Sequence, residues 1–207
     1  MRLGIFKDHV FEGVSEEQLY KSQMNGLNDP TLRHFQLLST SSLMKAEFKQ
    51  NQYELEYIQS YLNAAKELAD IGEQRTARSH AYYFYQHSYA LPILYLVRHC
   101  LELCIKRAVV RSGRTAKAKH NLVDLWKDFL AAHDKAQAQA DKQVLEQMSA
   151  FVSQIDKLDP TGTKLRYSTN KSGYSIDGPL WVDSGQVVKQ LDLFVQQLES
   201  LDIAPTN

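Results

Sequence analysis

Residues 95–110, YLVRHCLELCIKRAVV, run without a Gly or Pro and carry Leu, Val, Ile and two Cys at helical spacing, so the segment reads as a buried helix. Ile93, Val97, Cys100, Leu101, Cys104 and Ala108 share its apolar side. At roughly 100° per residue, Arg98, His99, Glu102 and Lys106 fall within about one quadrant of the wheel, with Tyr95 beside them. A helix otherwise fit for a core therefore carries one polar stripe. The i,i+4 spacing lets Glu102 sit between Arg98 and Lys106. The plain structural reading is a half-buried face whose long side chains pair with one another while their stems cover apolar neighbours. The functional reading is an anion or nucleotide site in which Glu102 orients Arg98, and His99 titrates near neutral pH. On that reading Arg98, His99, Glu102 and Lys106 are the candidate catalytic residues.

The rest of the chain is also helical in pattern. From Ser42 to Ile71, Leu43, Phe48, Leu55, Ile58, Leu62, Ala65 and Leu68 recur at helical period, predicting one long amphipathic helix ended near Gly72. Residues 74–112 read as helix almost throughout, with a kink or restart at Pro92 and a stop at Ser112-Gly113. Asn121 is the expected N-cap of a helix through about His133 that turns Leu122, Leu125, Trp126 and Phe129 inward. A further helix over 139–158 ends at Asp159-Pro160. The Gly-, Ser- and Thr-rich stretch near 161–183 reads as an irregular segment or short β-hairpin. Asp183 or Ser184 then caps a last helix with Val187, Val188, Leu191, Phe194, Val195, Leu198 and Leu201 on its apolar face. The prediction is an all-α fold of about five main helices, in one domain over 1–207, with residues 1–40 packed on the main body as an extension.

Charge narrows the partners. Lys plus Arg and Asp plus Glu balance at 24 each, so no overall field draws in nucleic acid or anionic membrane. Locally the balance breaks. Between Leu103 and Val123 there is no acidic residue, while Lys106, Arg107, Arg111, Arg114, Lys117 and Lys119 lie there with His120 beside them. Cations near a helix C-terminus need no ligand, being favoured by the macrodipole. The alternative is a nucleic-acid-binding patch of Arg107, Arg111, Arg114, Lys117, Lys119 and His120 that holds an RNA backbone without reading its sequence.

Other chemistry is sparse. Cys100 and Cys104, one turn apart, are expected as reduced core thiols. His80 and His87 share a helical face but lack a fitting acidic partner, so neither metal nor cofactor is expected. Tyr82, Tyr83, Phe84, Tyr85 and Tyr89 offer base stacking, or more simply core or a subunit contact. Arg166 and Tyr167 read as a structural clamp, Glu102 or Asp159 supplying the carboxylate a buried arginine needs. No Gly-rich phosphate loop, nucleophile elbow or paired Cys motif occurs. MRLGIFKDHVFEGV is no signal peptide, and no run approaches the roughly 20 apolar residues that cross a bilayer. A cytoplasmic protein without membrane contact is the expectation.

Four segments in order, HSYALPILYLVRHCLELCIKRAVV (87–110), KHNLVDLW (119–126), LDPTGTKLRYS (158–168) and VDSGQVVKQLDLFVQQL (182–198), resemble HEPN-domain proteins of prokaryotes, over roughly residues 75–203. The resemblance implies an all-α helical bundle, commonly a homodimer. Many HEPN proteins cleave or bind RNA in toxin–antitoxin and phage-defence systems. Nuclease members carry Arg-x(4–6)-His near the final helices, whereas residues 184–203 here contain neither Arg nor His. Arg2/His9, Arg75/His80 and Arg114/His120 have the bare spacing, but none lies at that position. The expectation is therefore a non-catalytic or RNA-binding protein of this kind, with RNA and an antitoxin or other protein as partners. The alternatives are a metal-independent endoribonuclease using Arg98, His99 and Glu102, and a protein-interaction or small-ligand-sensing module.

Overall fold

A computed structural model describes residues 49–78, 89–116, 118–133, 141–167, 169–170, 173–174 and 182–201. The chain divides into two units, 1–49 and 50–207, and nearly all of the described residues belong to the second. The expected packing of residues 1–40 lies outside the described residues. Among the described residues the second unit is an all-α fold with one two-residue strand pair, as its periodicities predict.

Helix α1 (Lys49–Arg78) buries Ile58, Leu62, Ala65 and Ala69, one stripe at helical spacing. It runs on through Gly72, where the sequence predicts its end. Gly72 takes no positive φ, so it is an interior glycine rather than a left-handed cap, and a Cβ there would meet Tyr89 at an ordinary 3.9 Å. Helix α2 (Ala90–Arg111) opens after the non-helical Tyr89, so the chain restarts rather than bending at Pro92. Pro92 falls in the first turn, where its missing N–H has no intrahelical acceptor to forgo. The other end stops as expected: Ser112 N–H reaches back to Ala108 O, and Gly113 adopts φ 78°.

Helix α3 (Leu122–Leu130) is capped by Asn121, whose side chain accepts the Asp124 N–H at 2.8 Å. It ends three residues before His133, with Ala131–His133 forming a turn. Helix α4 (Lys142–Leu158) stops at Asp159, which leaves the helical region (φ −145°, ψ 78°), as the steric bulk of the following proline favours. The pairing of β1 (Thr169–Asn170) with β2 (Gly173–Tyr174) is antiparallel and two residues long, within the segment expected to be irregular or a hairpin. Helix α5 (Ser184–Ser200) is capped by Asp183, which accepts the Gln186 N–H at 2.9 Å.

Helix α2 is the core helix, packed against α3 and α5, while α3 packs on α4. Val97, Cys100, Leu101 and Ile105 are fully buried, and around them lie Leu122, Leu125, Phe129, Val152 and Leu191. Trp126 stacks obliquely between Phe129 and Phe194, and its indole N–H finds Ser149 Oγ at 2.7 Å. Cys100 and Cys104 are buried free thiols, and hydrogen bonding to Cys100 together with burial pushes the Cys104 thiol well above its ordinary pKa. Among the described residues no helix is long and apolar enough to cross a membrane.

Candidate functional site

The polar stripe of α2 is a connected network whose centre is Arg98. This side chain is 5 % exposed and uses three nitrogens on three segments of chain. Its Nε donates to Asp159 O at 2.8 Å, one terminal nitrogen to Glu102 Oε2 at 3.0 Å, and the other to His120 O at 2.6 Å. Asp159 Oδ2 adds a carboxylate 3.7 Å from Nε. Arg98 thus ties α2 to the residue before α3 and to the turn after α4. The planar guanidinium, with donors fixed in a fork, suits a site where three acceptors converge from different directions.

The turn after α4 is shaped around that arginine. Asp159 is 1 % exposed, and its carboxylate accepts backbone N–H groups of Thr163 at 2.8 Å, Lys164 at 3.0 Å and Leu165 at 3.3 Å. Gly162 sits at φ 73°, where a Cβ would lie 3.0 Å from an Arg98 terminal nitrogen. Both the backbone sign and the close approach call for glycine.

Glu102 divides its oxygens between two tasks. Oε2 holds Arg98 inside, whereas Oε1 accepts from Lys106 Nζ at 2.7 Å and pairs with His120 Nδ1 at 3.0 Å. Burial by itself would push this carboxyl up, but the hydrogen bonds from Lys106, His120 and Arg98 outweigh it and hold the pKa below its ordinary value. An anionic Glu102 can only accept from Nδ1, so in the neutral ring the lone pair is the one on Nε2.

His99 lies next to this network, half-buried. Tyr61 approaches it edge-on at 4.6 Å between ring centres, and Tyr95 stacks on it at 6.0 Å. Burial depresses its pKa, Glu102 opposes, and Arg98, Lys106 and Arg166 depress it further. Tyr57 closes the aromatic run, its hydroxyl 3.3 Å from that of Tyr61, and this contact with burial raises the Tyr61 pKa to about 12.

The four stripe residues expected as a site, Arg98, His99, Glu102 and Lys106, are thus brought together. The cationic segment is not one patch. Arg107 and Arg111 both pair with Glu199 of α5, the latter at 3.4 Å; Arg114 donates to Ala131 O at 2.9 Å; and Lys119 lies 4.0 Å from Asp128. Among the described patch residues, His120 is the one that joins the stripe. Lys117 lies outside the described residues, as do His80, His87 and the aromatic residues 82–85.

The buried arginine between Glu102 and Asp159 is Arg98 rather than Arg166. Arg166 and Tyr167 are exposed; the Arg166 Nε donates to Gly162 O at 2.7 Å and its guanidinium lies 5.7 Å from the Tyr167 ring centre. Its clamp acts on its own turn. The expectation went astray because burial was assigned to the wrong arginine, and helix α2 already supplies one within an i,i+4 step of Glu102.

Three functional contacts escape sequence reasoning: Asp159 and His120 as partners of the stripe, and Asp156, which accepts the Leu122 N–H at 2.9 Å and steadies the start of α3. For Asp156 the available signal was an acidic residue at the inward register of α4. Among the described residues no three His, Cys, Asp or Glu side chains converge as a metal site requires. No protein-family model, curated protein or solved structure matches this chain.

Proposed function

We propose that this chain is a HEPN-like helical protein that binds RNA without cleaving it, gripping phosphates at the outer edge of the α2 stripe. The observation that carries the reading is the cations gathered there: Lys106 sits on the outer oxygen of Glu102, and Arg166 is close enough, with Arg98 and Lys106, to depress the pKa of His99. A local positive field in a chain of zero net charge favours phosphate and is indifferent to base identity. Arg107 and Arg111 pair with Glu199, whereas Lys106 and Arg166 lie beside the stripe, so these two are proposed as the gripping groups. A second copy of the chain and an antitoxin-like protein remain the partners that the resemblance implies, with the cytoplasm as its setting.

Cleavage is the second reading, favoured by one observation. A carboxylate-held histidine, His120, and a neutral half-buried one, His99, both border Glu102, as general acid–base attack on a phosphodiester would use. Arg98 has its nitrogens engaged by protein acceptors, and the last helix contains neither Arg nor His, so a transition-state cation would have to be Lys106 or Arg166.

A labelled single-stranded RNA decides between them. Wild type should bind at low salt, with affinity falling steeply as salt rises because phosphate contacts release counterions. Lys106→Glu with Arg166→Glu should weaken binding more than Arg111→Glu with Arg114→Glu. Intact RNA after prolonged incubation supports the non-catalytic reading. Metal-independent cleavage abolished by His120→Gln replaces it with the second, and unchanged binding by the Lys106/Arg166 variant removes both.

A further inference from the structure

His120 is placed in a way that RNA binding does not require. Its side chain is 67 % exposed, yet its Nδ1 is tied at 3.0 Å to a carboxylate that is only 8 % exposed. Its backbone is fixed as well, because its carbonyl accepts from Arg98 at 2.6 Å. An exposed imidazole normally turns freely; this one is held at both ends. The held nitrogen is the inner one, so Nε2 is the atom presented to a reactant from outside. Lys106 Nζ shares the same Glu102 oxygen at 2.7 Å, which puts an ammonium no farther from the ring nitrogen than those two bonds laid end to end. His120 also directly precedes Asn121, the cap of α3, at the helix end that favours negative charge.

We propose that His120 is a phosphoryl-accepting histidine, its Nε2 taking a phosphoryl group from a donor of the phosphoramidate or acyl-phosphate class. The Nε2 lone pair attacks phosphorus, and the Nε2–P bond forms. The bond from phosphorus to the leaving group breaks, its electron pair departing with ammonia from phosphoramidate or with carboxylate from an acyl phosphate. Nδ1 keeps its proton throughout. The ring therefore becomes a phosphoimidazolium, whose positive charge faces anionic Glu102 while Lys106 faces the new phosphoryl oxygens. A carboxylate behind the second nitrogen fixes the ring's orientation and tautomer, as it does for histidines that bind metals. No oxidant, reductant or metal enters the step.

The full-length folded chain is incubated with phosphoramidate near neutral pH, and acid-labile, alkali-stable phosphoryl groups are mapped residue by residue by mass spectrometry. His120 should be labelled ahead of the other six histidines. The side chain of His120 is exposed, its carbonyl is kept by Gln, and Glu102 retains Lys106 and Arg98, so His120→Gln should fold normally and lose this label. Glu102→Gln should slow His120 labelling about tenfold, the scale on which removing a second-shell carboxylate acts. Labelling spread evenly over the histidines of the folded chain, or a folded Glu102→Gln variant labelled as fast as wild type, overturns the proposal. Should Glu102→Gln fail to fold, wild type in concentrated urea decides. The preference for His120 should vanish there, and its persistence would show that local sequence rather than the Glu102 contact makes it reactive.

Discussion

Replacing Arg98 with Met keeps much of the side-chain volume and removes every polar contact, so the cost measures the tie itself. Three hydrogen bonds go, at 2.8, 3.0 and 2.6 Å. Asp159 O keeps the Gly162 N–H at 3.3 Å, whereas the part-buried His120 O loses this donor, at about 1–3 kcal/mol for a group left unsatisfied. The carboxylates fare better. Glu102 keeps Lys106 and His120, and Asp159 keeps three backbone N–H groups, so neither becomes an orphaned charge. Breaking a buried ion pair usually costs about 3–5 kcal/mol, and with both anions still satisfied the lower part of that range, about 3–4 kcal/mol, is expected. Arg98→Lys should recover only a fraction, because a single ammonium does not reach three divergent acceptors.

Urea unfolding followed by far-ultraviolet circular dichroism measures this, with an unchanged m-value as the condition for reading the midpoint as stability. A loss below about 1 kcal/mol for Arg98→Met would refute the reasoning, since surface-like contacts of the same kind are worth no more than that. Gly162→Ala supplies an internal check. Its Cβ would meet the guanidinium at 3.0 Å, so part of its cost should disappear in the Arg98→Met background, while the part due to φ 73° should remain.

Acid should destabilise the protein in two stages. The folded pKa of His99 lies below its ordinary 6.5, so the unfolded chain takes up that proton first and stability falls as pH drops below about 6.5; Glu102, also depressed, contributes stability that is present above 4.5 and lost as pH falls through its lowered folded value. Urea midpoints across this range should show both steps, His99→Phe should remove the upper one, and a midpoint that rises on acidification would contradict the assignment. Glu199→Ala should cost about 2 kcal/mol, less than a fully buried pair because Glu199 is 32 % exposed while Arg107 is 6 % exposed. Thermal unfolding checks it, and an unchanged midpoint would mean that Arg107 and Arg111 do not depend on this carboxylate.

What could be read in the sequence was what short-range chemistry decides. Asn121 and Asp183 were legible as caps because a side-chain oxygen satisfies an N–H three residues on, whatever the rest of the fold does. The inner pairing of the stripe was legible for the same reason, since one helical turn sets the distance between Arg98, Glu102 and Lys106. Gly72 misled because a glycine inside a helix and one that ends it look alike in sequence, and only φ distinguishes them. Asp159 and His120 were illegible as partners of the stripe. Their contacts with Arg98 and Glu102 cross 61 and 18 positions of chain, and no local periodicity encodes which turn comes to lie over which face. The ion pairs of Arg107 and Arg111 were illegible in the same way, because α5 brings Glu199 to them from 92 positions beyond Arg107.

The tie at Arg98 also bears on why a core helix tolerates charge at all. Replacing a buried ionic cluster by apolar residues of equal volume is often neutral or stabilising, so stability alone gives no reason to keep one. Here the guanidinium does what an apolar side chain could not: it fixes the carbonyl of His120 and the turn at Asp159 to one helix, and it positions a carboxylate whose second oxygen faces the surface. Oε2 of Glu102 belongs to the core and Oε1 to the exposed edge, so the same two carbon–oxygen bonds couple the packing of three segments to the orientation of an exposed imidazole. A substitution that preserved the fold but freed Oε1 from its inner anchor would leave His120 free to turn. The orientation of the imidazole at this edge therefore depends on the buried Arg98 and on the inner oxygen of Glu102.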